Sequence, residues 1–127
     1  MSMREILFRA KRKNNGEWVD GFYCGGNERN TLHPAIFIYL PDKQSYDYQN
    51  IDINTLGQFT GLTDKNGIKI FEGDILKGLY ANGNAEVEMI NGSWVVYAGK
   101  GWTDIGYVVD RVEVIGNIHD NPELLTE

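Results

Sequence analysis

The residues able to do chemistry are few in this chain and widely separated. It has two histidines, His33 and His119, and a single cysteine, Cys24. No HxH or HExxH spacing joins the histidines into a metal site. His33 precedes Pro34 in an expected loop and His119 follows the last expected strand, so each reads as an exposed or capping residue. Cys24 has no partner for an internal disulfide, which fits a reducing cytoplasm. A catalytic thiol would need an activating base, and a small packed hydrophobe is the expected role. The acids Asp104, Asp110, Glu113 and Asp120 could cluster late in the chain. Paired carboxylates do acid–base work only where their environments separate their pKa values, which spacing alone does not provide. GxSxG, CxxC and glycine-rich dinucleotide fingerprints are absent. The expectation is a protein with no catalytic residue, no metal and no cofactor, and so not an enzyme.

One stretch, FTGLTDKNGIKIFEGDIL from Phe59 to Leu76, is dense enough in acids, lysines and glycines to test against known sites. As a calcium loop starting at Asp64 it fails, because Ile68 occupies the fifth position and Lys69 stands where a glycine is needed. As a P-loop it lacks the lysine followed by Ser or Thr. As a turn every residue has a task. Asp64 can accept backbone N–H groups, Asn66-Gly67 tolerates positive φ, Gly73 permits a bulge, and Asp74 can satisfy the freed amides. Strand alternation then puts Ile68 and Ile70 on one face, with Lys69 and Phe71 on the other. Asp64, Asn66, Gly67, Gly73 and Asp74 are therefore expected to be structural.

The remaining chemical signal is charge. The net charge of −6 disfavours non-specific attraction to a phosphate backbone. Basic residues nevertheless crowd the start of the chain, at Arg4, Arg9, Lys11, Arg12 and Lys13. In a strand, Arg9, Lys11 and Lys13 share a face opposite Ile6, Phe8 and Ala10. The plain reading is a solvated strand face that resists edge-to-edge association. The alternative is a patch for nucleic acid or an acidic partner, with Trp18 or Tyr23 available for stacking.

The elements that position these residues are signalled by turns. Asn-Gly occurs at residues 15–16, 66–67, 82–83 and 91–92, and the pair suits tight hairpin turns. Between them lie strand-like runs: REILFRAKRK, EWVDGFYCG, AIFIYL, GQFTGL, GDILKGL, AEVEMI, SWVVYAG and VEVIGNI. A loop or helical turn is expected around residues 50–57, a flexible loop over residues 25–34, and a short helix at HDNPELLTE with Asn121 as cap and Pro122 in first position. Phe8, Trp18, Phe59, Ile70, Ile75, Trp94, Val114 and Ile118 are the expected core positions, and Trp18, Trp94 and Trp102 are expected to supply much of its bulk. Apolar residues make up 42% and charged residues 24%, as in ordinary globular domains. No apolar run approaches the ~20 residues of a membrane span, and MSMREILFRAKRK lacks a signal-peptide pattern. The expectation is one cytoplasmic all-β domain over residues 1–127, a small barrel or pseudobarrel with SH3-like elements and short helical segments including the C-terminus.

Three blocks sharpen this reading. MREILFRAK at residues 3–11, QFTGLTDKNGIKIFEGDIL at 58–76 and VEVIGNIHDNPELL at 112–125 resemble the signature blocks of the YopX family. The segments at residues 27–50 and 80–111 carry no such resemblance. The resemblance implies an all-β, barrel-like fold and a phage or prophage of Gram-positive bacteria as the source, and it brings no catalytic residues onto this chain. The expected function is a non-enzymatic interaction module that binds a phage or host protein or assembles with itself as a homo-oligomer. A nucleic-acid-binding barrel is the alternative, with nucleic acid disfavoured by the net charge. A small metal-dependent hydrolase using His33 or His119 is the second alternative.

Overall fold

The computed structural model describes residues 5–25, 34–80, 83–97, 99 and 101–125. His33, Asn82 and most of the expected loop over residues 25–34 lie outside these. The chain divides into two compact units, Met1–Gln58 and Phe59–Glu127.

The first unit is built from β1 (Phe8–Arg12), β2 (Trp18–Cys24), β3 (Ala35–Leu40) and most of β4 (Ser45–Thr63). The Asn15-Gly16 pair turns β1 into β2. Gly16 has φ +72° and donates its N–H to Arg12 O at 2.9 Å. Pairing then runs β1–β2, β2–β3 and β3–β4, all antiparallel, and β4 is long enough to pair with β1 as well. β2 and β3 approach so closely that a Cβ on Gly21 would lie 2.4 Å from Phe37 O, so only glycine fits there. The β1–β4 ladder is interrupted by extra residues of β4 between Asp52 and Gly57. Thr55 fills that gap. Its hydroxyl accepts from Lys11 N at 2.8 Å and donates to Asp52 O at 2.7 Å. The polar run around residues 50–57 is thus a bulged part of a strand, not the expected loop. Ala10, Val19, Ile36 and Ile51 form the core of this unit, joined by half-buried Phe8, Tyr23, Ile38 and Leu56. Ile6, expected beside them, is exposed.

In the second unit the end of β4 pairs with β5 (Lys69–Phe71). Two three-stranded sheets follow. One has β6 (Asp74–Tyr80) between β7 (Gly83–Glu86) and β11 (Glu113–Asn117). The other has β9 (Ser93–Tyr97) between β8 (Glu88–Ile90) and β10 (Trp102–Asp104). Val87 links β7 to β8 and is fully buried. Its N–H donates to Asp74 O at 2.9 Å and its carbonyl accepts from Gly73 N at 3.0 Å. Asn91 and Gly92, with φ +50° and +81°, make the β8–β9 turn, in which both central residues are left-handed. The core here is aliphatic, with Ile70, Leu76, Val87, Val96, Ile105, Val108 and Val112 among its buried members.

The fold is all-β, and further sequence expectations are corrected. The sheets do not make one small barrel. Strands of three residues such as β5, β8 and β10 are too short to wrap a continuous sheet, and register shifts interrupt the ladders of β4, β6 and β11. The tryptophans are not the heart of the core. Phe59, Ile70 and Ile75 are buried, but Phe8, Trp18, Trp94, Val114 and Ile118 are half-buried and Trp102 is exposed. The C-terminal stretch forms a single 3₁₀ turn over Pro122–Leu125, and Asn121 accepts from Asn117 N at 3.3 Å instead of capping an α-helix. No helix among the described residues is long and apolar enough to cross a membrane.

Candidate functional site

The dense central stretch is a hydrogen-bonded turn whose acceptors are occupied by backbone. Asp64 Oδ1 accepts from Asn66 N at 2.8 Å and from Ile68 N at 2.9 Å, while Oδ2 accepts from Val114 N at 2.9 Å. Burial alone would raise the Asp64 carboxyl. The backbone N–H groups of Val114, Ile68 and Asn66, with the Lys65 charge, outweigh it and hold the carboxyl below its ordinary value. Gly67 closes the turn at φ +80° and donates to Asp64 O at 3.0 Å. Asn66 Nδ2 reaches Glu113 Oε2 at 3.4 Å. Gly73 has φ +88°, and the buried Asp74 accepts from Phe71 N at 2.7 Å through Oδ2. A carboxylate tied to backbone in this way is a poor base and a poor metal ligand. The expected facial pairing of this stretch is corrected: Ile70 and Phe71 are both buried and Ile68 is exposed. Phe71 finds its place by packing on Phe59, with ring centroids 5.5 Å apart.

His119 is half-buried and its backbone N–H donates to Asn117 Oδ1 at 3.0 Å. Asp104 accepts from Gly106 N at 3.0 Å, Glu113 pairs with Lys77 at 3.6 Å, and Asp120 accepts from Asn117 Nδ2 at 3.1 Å. Asp110 is exposed. Cys24 is half-buried. No group of three or more His, Cys, Asp or Glu side chains able to hold a metal occurs among the described residues. A perturbed acid that the sequence did not single out is Glu86, whose carboxyl is raised by burial and then by the charges of Glu88 and Glu72.

A broader feature covers the outer face of the first unit. Register puts Arg9 opposite Asp20 and Lys11 opposite Trp18. The Arg9 guanidinium lies 4.8 Å and the Lys11 ammonium 5.6 Å from the Trp18 ring centroid, close enough for cation–π attraction. Further along β2, Phe22 pairs with Phe37, Phe37 with Tyr48, and Tyr39 with Tyr46. Their rings meet edge-on or tilted, with centroids 5.2 Å apart for Phe37–Tyr48 and Tyr39–Tyr46, 6.4 Å for Phe22–Tyr46 and 6.5 Å for Phe37–Tyr46. Phe22 is 56% exposed, Tyr46 58% and Tyr39 46%. Tyr23, named as a possible stacking residue, is on the opposite face and packs against Phe8 at 5.6 Å.

Lys13 follows β1 and is exposed. With Asn14, Tyr48, Gln49 and Asn50 it lines an open cleft of about 480 Å³. Arg9 and Lys11 thus lie together by Trp18, while Lys13 lies at the cleft. The aromatic strip was legible as the alternations Phe37/Tyr39 in AIFIYL and Tyr46/Tyr48 in SYDYQN, but that signal identifies a face only once β3 and β4 are paired. Charge also divides by unit. Residues 1–58 hold seven acidic and seven basic side chains, whereas residues 59–127 hold eleven acidic and five basic. The chain's negative charge therefore belongs to the second unit.

Comparison with known proteins gives a family match and a structural likeness. The family described as YopX protein matches residues 7–126, running through both segments that carried no recognisable block. No curated protein matches the sequence. Among solved structures, the crystal structure of protein EF1440 from Enterococcus faecalis is similar with a TM-score of 0.60 and 25% identity, covering 97% of this chain and 99% of that one.

Proposed function

The chain belongs to the YopX family, and from that premise we propose that it is a non-enzymatic interaction module of phage or prophage origin, acting in the cytoplasm of a bacterial host. The observation that carries this reading is the outer face of β1–β4. Phe22, Tyr39 and Tyr46 are each more than two-fifths exposed on it, outside the hydrophobic core of their own unit. Exposed aromatic clusters bordered by polar groups mark interaction sites, and Tyr, Trp and Arg carry much of the energy at such sites. Asp64, Asp74, Asp104, Glu113, Asp120 and His119 are engaged in turns and strand ends, which supports a binding role over a catalytic one.

The test is affinity capture from prophage-induced cells with the wild-type chain and a Phe22→Ser/Tyr46→Ser variant, with and without nuclease. The reading expects a phage or host macromolecule, or a second copy of the chain, to be retained by the wild type and lost by the variant. Equal capture by both proteins would overturn it.

A further inference from the structure

We propose that the outer face of β1–β4 binds single-stranded nucleic acid, with bases stacking on its exposed rings and the backbone passing its cationic border. The proposal rests on reading that face as the working surface and names its ligand. Unpaired bases present π-faces that aromatic side chains accept without regard to sequence, whereas a duplex hides them in its own stack. Phe22, Tyr39, Tyr46 and Tyr48 are exposed, and each belongs to one network of ring contacts with Phe37. That is a platform several rings wide.

Two further observations favour nucleic acid over a polypeptide. Arg9 and Lys11 stand at alternate positions of β1 beside Trp18, and Lys13 follows in the turn at the cleft. They supply positive charge at both places, as a strand of phosphates requires. Tyr48 then continues the aromatic network into the cleft of about 480 Å³ with Lys13, Asn14, Gln49 and Asn50. Side-chain amides carry donor and acceptor together and match the edges of bases. The Gln49 amide is oriented by its bond to Asp47 Oδ2 at 2.6 Å. The overall charge of −6 argues against binding only if charge is spread evenly, and the unit bearing this face is neutral. Binding on it is stacking-led, with only about three phosphates neutralised, so the logarithm of affinity falls with the logarithm of salt at a slope of about −2.

The experiment is fluorescence anisotropy of the full chain with labelled oligothymidylate, oligouridylate and a duplex of matched length, across a salt series. The expected result is binding of a single strand, at least about tenfold weaker binding of the duplex, and a shallow slope near −2. Preference between the deoxy and ribo strands identifies DNA or RNA as the source. Phe22→Ser and Tyr46→Ser should each weaken binding about tenfold at unchanged melting temperature, and Lys11→Gln/Lys13→Gln should flatten the salt slope. Absence of binding even at low salt, equal affinity for the duplex, or indifference to the ring substitutions would overturn the proposal. If no oligonucleotide binds but the face variant loses a captured protein, the ligand assignment fails and the interaction-module reading stands. If neither occurs, both fail.

Discussion

The two units spend their aromatic and acidic residues differently. The first has a small core of Ala10, Val19, Ile36 and Ile51 and leaves a cluster of rings in solvent. The second draws a larger aliphatic core from several strands and the 3₁₀ turn Ile105–Tyr107, and ties its buried carboxylates Asp64 and Asp74 to backbone amides. Burial and saturated hydrogen bonding produce stability, whereas exposed rings on a paired sheet contribute little to folding and remain available for contact. The contrast implies that substitutions in the second unit are read mainly as stability, and those on the outer face of the first mainly as binding.

The most severe challenge to that contrast is Ile70→Ala. Ile70 is fully buried, and truncation should cost about 3 kcal/mol in chemical denaturation. A loss near zero would mean that the core of the second unit is not its stabilising element. Asp64→Ala should cost about 2 kcal/mol, because it strands the amides of Asn66, Ile68 and Val114. Its pH dependence has a definite sign. The folded-state pKa of Asp64 is lowered, so its contribution is present above the unfolded carboxylate range and is lost as pH falls through the folded value. Acid titration of wild type against Asp64→Asn should show a smaller acid-limb loss in the variant, and parallel curves would remove the assignment.

Smaller effects sharpen the comparison. Gly67→Val should destabilise by ~1 kcal/mol or more. A Cβ there meets nothing within 4 Å and the residue sits at φ +80°, so backbone strain is the whole of the predicted cost. An unchanged melting temperature would show that the turn relaxes freely. Least of all, Tyr46→Ser should change stability by no more than about 0.5 kcal/mol, although it removes a ring from the exposed face. A large loss would mean that the ring network is structural and that the division between the units is drawn in the wrong place.

Local chemistry made part of this legible in the sequence. The Asn-Gly turns, the strand-like runs and the roles open to Asp64 and Gly67 depend on neighbours a few residues away. What escaped depends on distant pairing. The bulge at Thr55 arises because β4 carries more residues than β1 between two paired positions, which no local pattern records. Trp18 looked like core because tryptophan is large and apolar, but register puts it on the face with Arg9 and Lys11, where cations cover it. The aromatic strip needed two strands to be laid side by side. Phe71, expected on the face opposite Ile70, is buried as well because Phe59 receives it.

Val87 has a kinetic consequence. One uninterrupted backbone serves β7 in one sheet and β8 in the other, and at the crossing its amide and carbonyl are both bonded to the Gly73–Asp74 corner. Neither sheet can peel away there without breaking that corner. Proton exchange with solvent at the Val87 amide should therefore await a joint opening of both sheets, and its rate would report the slowest collective opening of the second unit instead of the fraying of one strand.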